Sequence, residues 1–204
     1  MAVVFDLGAV VFRWRPDVLL STVLPHRAPT PQDAMPLVND VFQGYAGDWG
    51  EFDRGTVEVE QLVQRIASRT GLAPDEVLRV VEASLDELQP LPGTVALIER
   101  LQACGHALYF LSNMPRPFAL HLETAHPFYD WFRDGVFSSR VQLVKPDRAI
   151  FELARERLSL DPAQTLFIDD STPNVDAARA AGWQALRFTG ASSLEADLTA
   201  GGWL

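Results

Sequence analysis

Acidic side chains close two short apolar runs in this chain: Asp6 follows Val3-Val4-Phe5, and Asp169-Asp170 follow Thr165-Leu166-Phe167-Ile168. A third run, Ala107-Leu108-Tyr109-Phe110-Leu111, ends in Ser112-Asn113, and Lys145-Pro146 stands ahead of the last acidic pair. Carboxylates serve as nucleophiles, as acid–base groups and as ligands for hard cations. Each residue also has a plainer reading. An Asp after a strand is a common turn former, Ser-Asn can begin a helix, and a lysine is usually solvated. The adjacent pair is harder to explain away. Thr172-Pro173 already supplies a helix N-cap and an N1 proline. Asp169 and Asp170 are then left without a structural task, and their mutual repulsion calls for a cation.

The elements that must position these groups follow from apolar periodicity. Continuous apolar runs are the pattern of strands buried on both faces of a parallel sheet, and residues 184–187 repeat it weakly. Helical patterns lie between them, at residues 94–104, 149–158 and 175–181, with Gly105 and Gly182 just past the first and last. Strands alternating with helices imply a doubly wound, Rossmann-like α/β domain with a parallel sheet. Such sheets bind ligands at the carboxyl ends of their strands, which would gather Asp6, Ser112-Asn113 and Asp169-Asp170 on one edge. Residues 15–87 break the alternation, with helical patterns at 57–70 and 75–85, and read as an α-helical cap inserted into the core. Leu88-Gln-Pro-Leu-Pro-Gly93 reads as the return linker. The expected division is a core of residues 1–14 and 88–204 and a cap of residues 15–87.

Bulk properties narrow the function. With 204 residues the chain can hold one core and a modest insertion. A formal charge of -10 argues against a nucleic-acid partner. The same charge repels phosphorylated substrates, so a phosphate site would need a bound cation or a few placed positive groups. Cys104 is the one cysteine, which excludes an intrachain disulfide and a thiolate metal cluster. His26, His106, His121 and His126 show no metal-ligand spacing. The first residues lack the basic start of a signal peptide, and no apolar run nears the roughly 18 residues of a membrane span. The expected location is the cytoplasm, and no membrane partner is expected.

Four motifs in order, Val4-Phe5-Asp6-Leu7-Gly8, Phe110-Leu111-Ser112-Asn113, Lys145-Pro146-Asp147 and Phe167-Ile168-Asp169-Asp170 with Asn174, resemble the haloacid dehalogenase superfamily, mostly phosphatases, over nearly the whole chain. Phe5-Asp6-Leu7-Gly8 with Asp53-Arg54-Gly55 looks like the subgroup containing bacterial glucose-1-phosphate phosphatases. The resemblance implies a Mg²⁺ held by Asp6, the Gly8 carbonyl and Asp170. It implies nucleophilic attack by Asp6 on a small phosphorylated metabolite, sugar phosphates included, through an aspartyl-phosphate. Ser112 and Asn113 would hydrogen-bond the phosphoryl oxygens, and Lys145 would balance charge on Asp6 and substrate. Asp169 and Asn174 would orient metal-bound water or Lys145.

One position departs from the pattern. Phosphatases of this kind usually carry a second Asp two residues after the nucleophile for proton transfer, and here that residue is Gly8. The departure points to good leaving groups such as sugar 1-phosphates or acyl phosphates, or to another group or water in place of the missing acid, and it keeps open a catalytically weak phospho-ligand binder. A metal-free 2-haloacid dehalogenase would use the same Asp nucleophile on carbon, but would gain nothing from Asp169-Asp170. Trp14, Trp49, Glu51 and Asp53 are candidates for a cap-side pocket wall, and Arg116 for a substrate anion. Packing, turn and solvated roles are the plainer readings of these five.

Overall fold

The computed structural model describes the backbone of residues 1–204 and all side chains but those of Phe128 and Tyr129. In chain order the elements are β1 (Ala2–Phe5), α1 (Pro16–Val23), α2 (Pro31–Phe42), α3 (Asp48–Arg54), α4 (Val59–Thr70), α5 (Pro74–Glu87), α6 (Pro92–Ala103), β2 (Ala107–Ser112), α7 (Arg116–Ala125) and α8 (Phe128–Trp131). They continue with β3 (Asp134–Phe137), α9 (Ser138–Val141), α10 (Arg148–Arg157), β4 (Thr165–Asp169), α11 (Thr172–Ala180), β5 (Gln184–Arg187) and α12 (Ala191–Ala200). Among the described residues no helix is long and apolar enough to cross a membrane.

The five strands form one parallel sheet in the order β3-β2-β1-β4-β5. The chain fills one side of β1 and then returns to fill the other, so strand order reverses beside β1. That is where an α/β sheet opens a crevice. Apolar side chains alternate between two faces. Val3, Phe5, Leu108, Phe110, Leu166 and Ile168 join one core cluster; Val4, Leu111, Val136 and Phe167 join the other. Burial on both faces explains why the sequence shows continuous apolar runs instead of alternation. Phe151, Phe167 and Trp183 fill the second face with edge-to-face rings 5.6–6.2 Å apart.

Two details differ from the sequence expectation. Strand β3 is absent from it, because Asp134-Gly-Val-Phe137 is too short and too broken by glycine to form an apolar run. Gly135 is there for space: a Cβ at that position would lie 2.3 Å from the Phe110 ring. Helix α11 starts earlier than expected, with Ser171 and not Thr172 at its N-cap, and the Ser171 side chain makes no capping bond. The Ser171 N–H donates instead to Asp169 Oδ1 at 2.8 Å. Asp169 thus does have a structural task at this helix start.

Between β1 and α6 the described residues form helices only. The chain leaves and rejoins the sheet side by side, with Arg13 N–H donating to the Gln89 carbonyl and Leu91 N–H to Val11, each at 2.8 Å. The Glu87 carboxylate accepts from Arg13 Nε at 3.0 Å and Arg15 Nε at 2.8 Å across the same crossing. Apolar packing runs through this junction without a break, since Leu62, Val77 and Val80 belong to the same cluster as Val3 and Phe5.

Candidate active site

Register alone sets the first part of the site. Phe5 pairs with Phe110 on one side and Ile168 on the other, so the residues after these three leave the sheet together. Asp6 N–H donates to the Ile168 carbonyl at 2.8 Å, which lays Asp6 beside the start of Asp169-Asp170. Oxygens of Asp6, Asp169 and Asp170 all lie within 4.8 Å of one another. Lys145 Nζ enters from the segment before α10, 2.9 Å from Asp6 Oδ1 and 2.6 Å from Asp169 Oδ2.

Lys145 is buried, and its ammonium also lies 5.4 Å from the centroid of the Phe167 ring. Burial alone would lower its pKa, but Asp169 and Asp6 outweigh burial and hold it above the ordinary 10.5. Its backbone is fixed separately. Asn113 Nδ2 donates to the Lys145 carbonyl at 2.9 Å, and Asn113 Oδ1 accepts from the Lys145 N–H at 2.8 Å.

Asp169 accepts from Lys145 Nζ, from Ser171 N–H, and from Asn174 Nδ2 at 3.1 and 3.0 Å. Four contacts use up the lone-pair sites of a carboxylate, so Asp169 holds Lys145 and has little left for a metal. Asp6 and Asp170 keep free oxygens. Burial pushes the Asp6 carboxyl up to about 7, with Lys145 opposing and Asp169 and Asp170 adding repulsion. Burial first, and Asp169 second, also raise Asp170. Three acids and one lysine leave an excess of negative charge, and the donors are all hard oxygens. That set fits a small divalent cation such as Mg²⁺, with Asp6, Asp170 and the carbonyl of cavity-lining Gly8 as its natural holders.

A cavity of about 620 Å³ opens over this cluster. Asp6, Gly8, Asn113, Lys145, Asp170 and Asn174 line its sheet end; Trp14, Tyr45, Trp49, Glu51, Asp53 and Phe118 line the opposite end. The cap-side rings pack on each other: Phe42 and Trp49 centroids are 4.4 Å apart, Trp14 and Phe42 5.6 Å, Trp49 and Phe118 6.3 Å. Trp14 Nε1 donates to the Tyr45 hydroxyl at 2.7 Å.

Most residues singled out from sequence converge here, and three depart from the part expected of them. Ser112 Oγ is buried without a hydrogen-bond partner and does not line the cavity. Asn113 does line it, but its amide is engaged with the Lys145 backbone. Arg116 does not line the cavity; it is exposed, as its plainer reading expects, and its Nε donates to the Ser139 carbonyl at 3.3 Å. Three histidines have partners elsewhere: His26 bonds Glu76, and His106 and His126 meet the carbonyls of Trp203 and Leu88. Sequence reasoning passed over Tyr45, Met114 and Phe118, all of which line the cavity. The one available signal was proximity to Asn113, since Met114 and Phe118 come directly after that strand end.

Known proteins resemble this chain in sequence and in fold. Residues 26–182 match the model of haloacid dehalogenase-like hydrolases. The sesquiterpene phosphatase astK of Aspergillus oryzae is 30% identical over 92% of this chain and 89% of its own length. A HAD family enzyme from Bacteroides thetaiotaomicron, solved with magnesium and inorganic phosphate, superposes with a TM-score of 0.68 at 20% identity, covering 91% of this chain and 92% of that one. The L-2-haloacid dehalogenase of Xanthobacter autotrophicus, solved with chloropropionic acid covalently bound, gives 0.69 at 19% identity, covering 100% and 84%. At these identities the two structures share the fold, and their chemistries differ.

Proposed function

The chain belongs to the haloacid dehalogenase-like hydrolases, and on that premise we propose that it is a Mg²⁺-dependent phosphatase in which Asp6 takes the phosphoryl group from a small phosphate monoester. The observation that carries this reading is the convergence of three carboxylates within 4.8 Å, two of them paired with buried Lys145 and two of them, Asp6 and Asp170, opening onto the cavity. Asp6 attacks phosphorus and forms an aspartyl-phosphate, which water then hydrolyses. Lys145 stays charged throughout and balances the Asp6 anion and the phosphoryl oxygens. Asp169 and Asn174 hold the Lys145 side chain, and Asn113 holds its backbone. The amide of Asn113 has one N–H to spare for a phosphoryl oxygen. When bound by Asp6, Gly8 and Asp170, Mg²⁺ supplies charge neutralisation between the nucleophile and an anionic substrate.

Residues 15–87 act as the cap that chooses the leaving group. Its wall of Trp14, Tyr45 and Trp49, completed by Phe118 of α7, favours an ester with an apolar body over the sugar phosphates expected from sequence. The likeness to a sesquiterpene phosphatase supports the same choice. Hydrolytic dehalogenation is the rival chemistry for this fold. It would bring a carboxylate substrate against Asp6 and Asp170, with Lys145 as the one cation among the described residues at the sheet end of the cavity. That is an unfavourable electrostatic match.

A panel of prenyl, aryl and sugar phosphates with Mg²⁺ or EDTA, run beside 2-haloacids, tests both. Phosphate release that EDTA and Asp6→Asn each abolish is expected. Halide release without metal, or phosphate release by the Asp6→Asn protein, would contradict it.

A further inference from the structure

Hydrolysis of a phosphate monoester by Asp6, as proposed above, has one task without a residue to perform it. A leaving alkoxide needs a proton and the second water must lose one, yet Gly8 has no side chain for either transfer. Nothing lies within 4 Å of a Cβ built on Gly8, so that corner of the cavity is open.

Asp53 faces the same cavity from the cap. It lies near the end of α3, buried at 5% exposure, and lines the space over Asp6 and Lys145. Its carboxylate has no hydrogen-bond or ion-pair partner among the described residues, and it lies outside the three-carboxylate cluster. Buried acids are normally paired or bonded, so an unpaired one at a substrate cavity requires a reason.

The surrounding contacts fix Asp53 in place. Ser138 Oγ donates to its backbone carbonyl and accepts from Met114 N–H, tying the end of α3 to the loop after β2. Arg54 also borders the cavity but is committed to the core, donating to the Gln142 carbonyl at 3.2 Å and pairing with Asp147 at 3.6 Å. Gly55 ends the helix at φ +77, where a Cβ would lie 2.5 Å from the Ser139 carbonyl oxygen. Asp53-Arg54-Gly55 is therefore a docking turn of the cap onto the core, and it leaves the Asp53 carboxyl unclaimed beside the cavity.

We infer that Asp53 is the proton donor and acceptor of the proposed phosphatase reaction, supplied by the cap in place of the side chain that Gly8 lacks; this role rests on that reaction. In the first step Asp6 forms an O–P bond, the bond from phosphorus to the leaving oxygen breaks, and the Asp53 proton passes to that oxygen. The products are an alcohol and the Asp53 carboxylate. In the second step water forms the new bond to phosphorus and gives its proton to Asp53, the bond to Asp6 breaks, and phosphate leaves. Both carboxyl groups return to their starting states.

Burial, reinforced by Asp6 and opposed by Lys145, holds the Asp53 carboxyl well above the ordinary carboxylate range, the protonated state that the first step requires. Of the other titratable groups nearby, Glu51 is engaged by Thr56 and Arg54, Asp170 belongs to the carboxylate cluster, and Tyr45, pushed up to about 12 by burial and accepting from Trp14, stays neutral.

The test compares wild-type and Asp53→Asn enzyme, with Mg²⁺, on p-nitrophenyl phosphate and on an unactivated alkyl phosphate. An aryl leaving group departs without a proton; an alkoxide does not. Expected is a fall of about 10²–10⁴-fold in kcat/KM for the alkyl ester, with loss of the basic limb of its pH profile. The aryl ester should fall by less than about tenfold, within the range of simple repositioning. Asp53→Ser should show the same split, which guards against misfolding of a single variant. Equal losses on both esters, or no loss on either, overturn the assignment. If wild-type enzyme hydrolyses neither ester, the phosphatase reading falls, and the role of Asp53 with it.

Discussion

The two ends of the cavity are built on opposite principles. At the sheet end the charges interlock and leave only free oxygens of Asp6 and Asp170 for a cation: Lys145 meets Asp6 and Asp169, Asn174 and Ser171 meet Asp169, and Asn113 meets the backbone of Lys145. At the cap end one carboxyl, Asp53, stands unpaired near packed rings. Interlocked ion pairs fix a geometry that chemistry can rely on, whereas an apolar wall with one polar group selects a shape. The sheet end is thus the part suited to a common reaction, and the cap end the part suited to a particular leaving group.

That contrast can be broken at either end. The largest effect expected is from Asp6→Asn, which should lower phosphatase kcat on the order of 10⁴-fold or more while circular dichroism stays unchanged; an active variant would remove the sheet end from the chemistry. Lys145→Met strips the counter-charge from two buried acids and should cost about 3–5 kcal/mol in urea unfolding measured with EDTA present. A loss under about 1 kcal/mol, the scale of an exposed ion pair, would mean the network is not closed as described. Gly8→Asp in an Asp53→Asn background should recover about tenfold or more of alkyl-ester activity, since acid–base catalysis is worth about 10²–10⁴ and the space at Gly8 is open.

Smaller effects belong to the cap. Trp14→Ala should raise KM for a prenyl monophosphate about tenfold, the scale of losing part of one aromatic contact, and leave p-nitrophenyl phosphate nearly unaffected. The smallest concerns Glu76, whose carboxyl is drawn from its ordinary 4.5 to about 2 by hydrogen bonds from Arg27 and the Ala73 N–H, with His26 adding to them against burial. A depressed pKa in the folded state means the stabilisation is complete above 4.5 and fades as pH falls toward 2. Glu76→Gln should therefore cost a few degrees of Tm at neutral pH and nothing near pH 2.

The two ends also differed in how plainly the sequence announced them. Val3-Val4-Phe5 before Asp6 and Thr165-Leu166-Phe167-Ile168 before Asp169 were legible because doubly buried strands require continuous apolar runs, and parallel pairing then sets the ends side by side. Strand β3 was not legible, as four residues with a space-making Gly135 carry no run. The work of Asp169 at the start of α11 was hidden too, because Ser171 lends its N–H and not its side chain. At the cap end Trp14, Trp49 and Asp53 were visible as candidates and no more. An aromatic side chain packs as readily as it contacts substrate, and Asp-Arg-Gly reads equally as a turn. Only Gly55 lying against Ser139 and Ser138 bonding Asp53 reveal that the turn is a docking point. Such contacts join positions more than 80 residues apart, which no local pattern encodes.

Everything proposed for the sheet end depends on covalent attack by the carboxylate at position 6. Rapid acid quench of the Mg²⁺-loaded enzyme during turnover of a substrate labelled in its phosphoryl group, with peptide mapping of the quenched protein, measures it directly. Hydroxylamine-labile label is expected on the peptide that carries Asp6 and absent from the Asp6→Asn protein; label on any other residue would rule out Asp6 as the nucleophile.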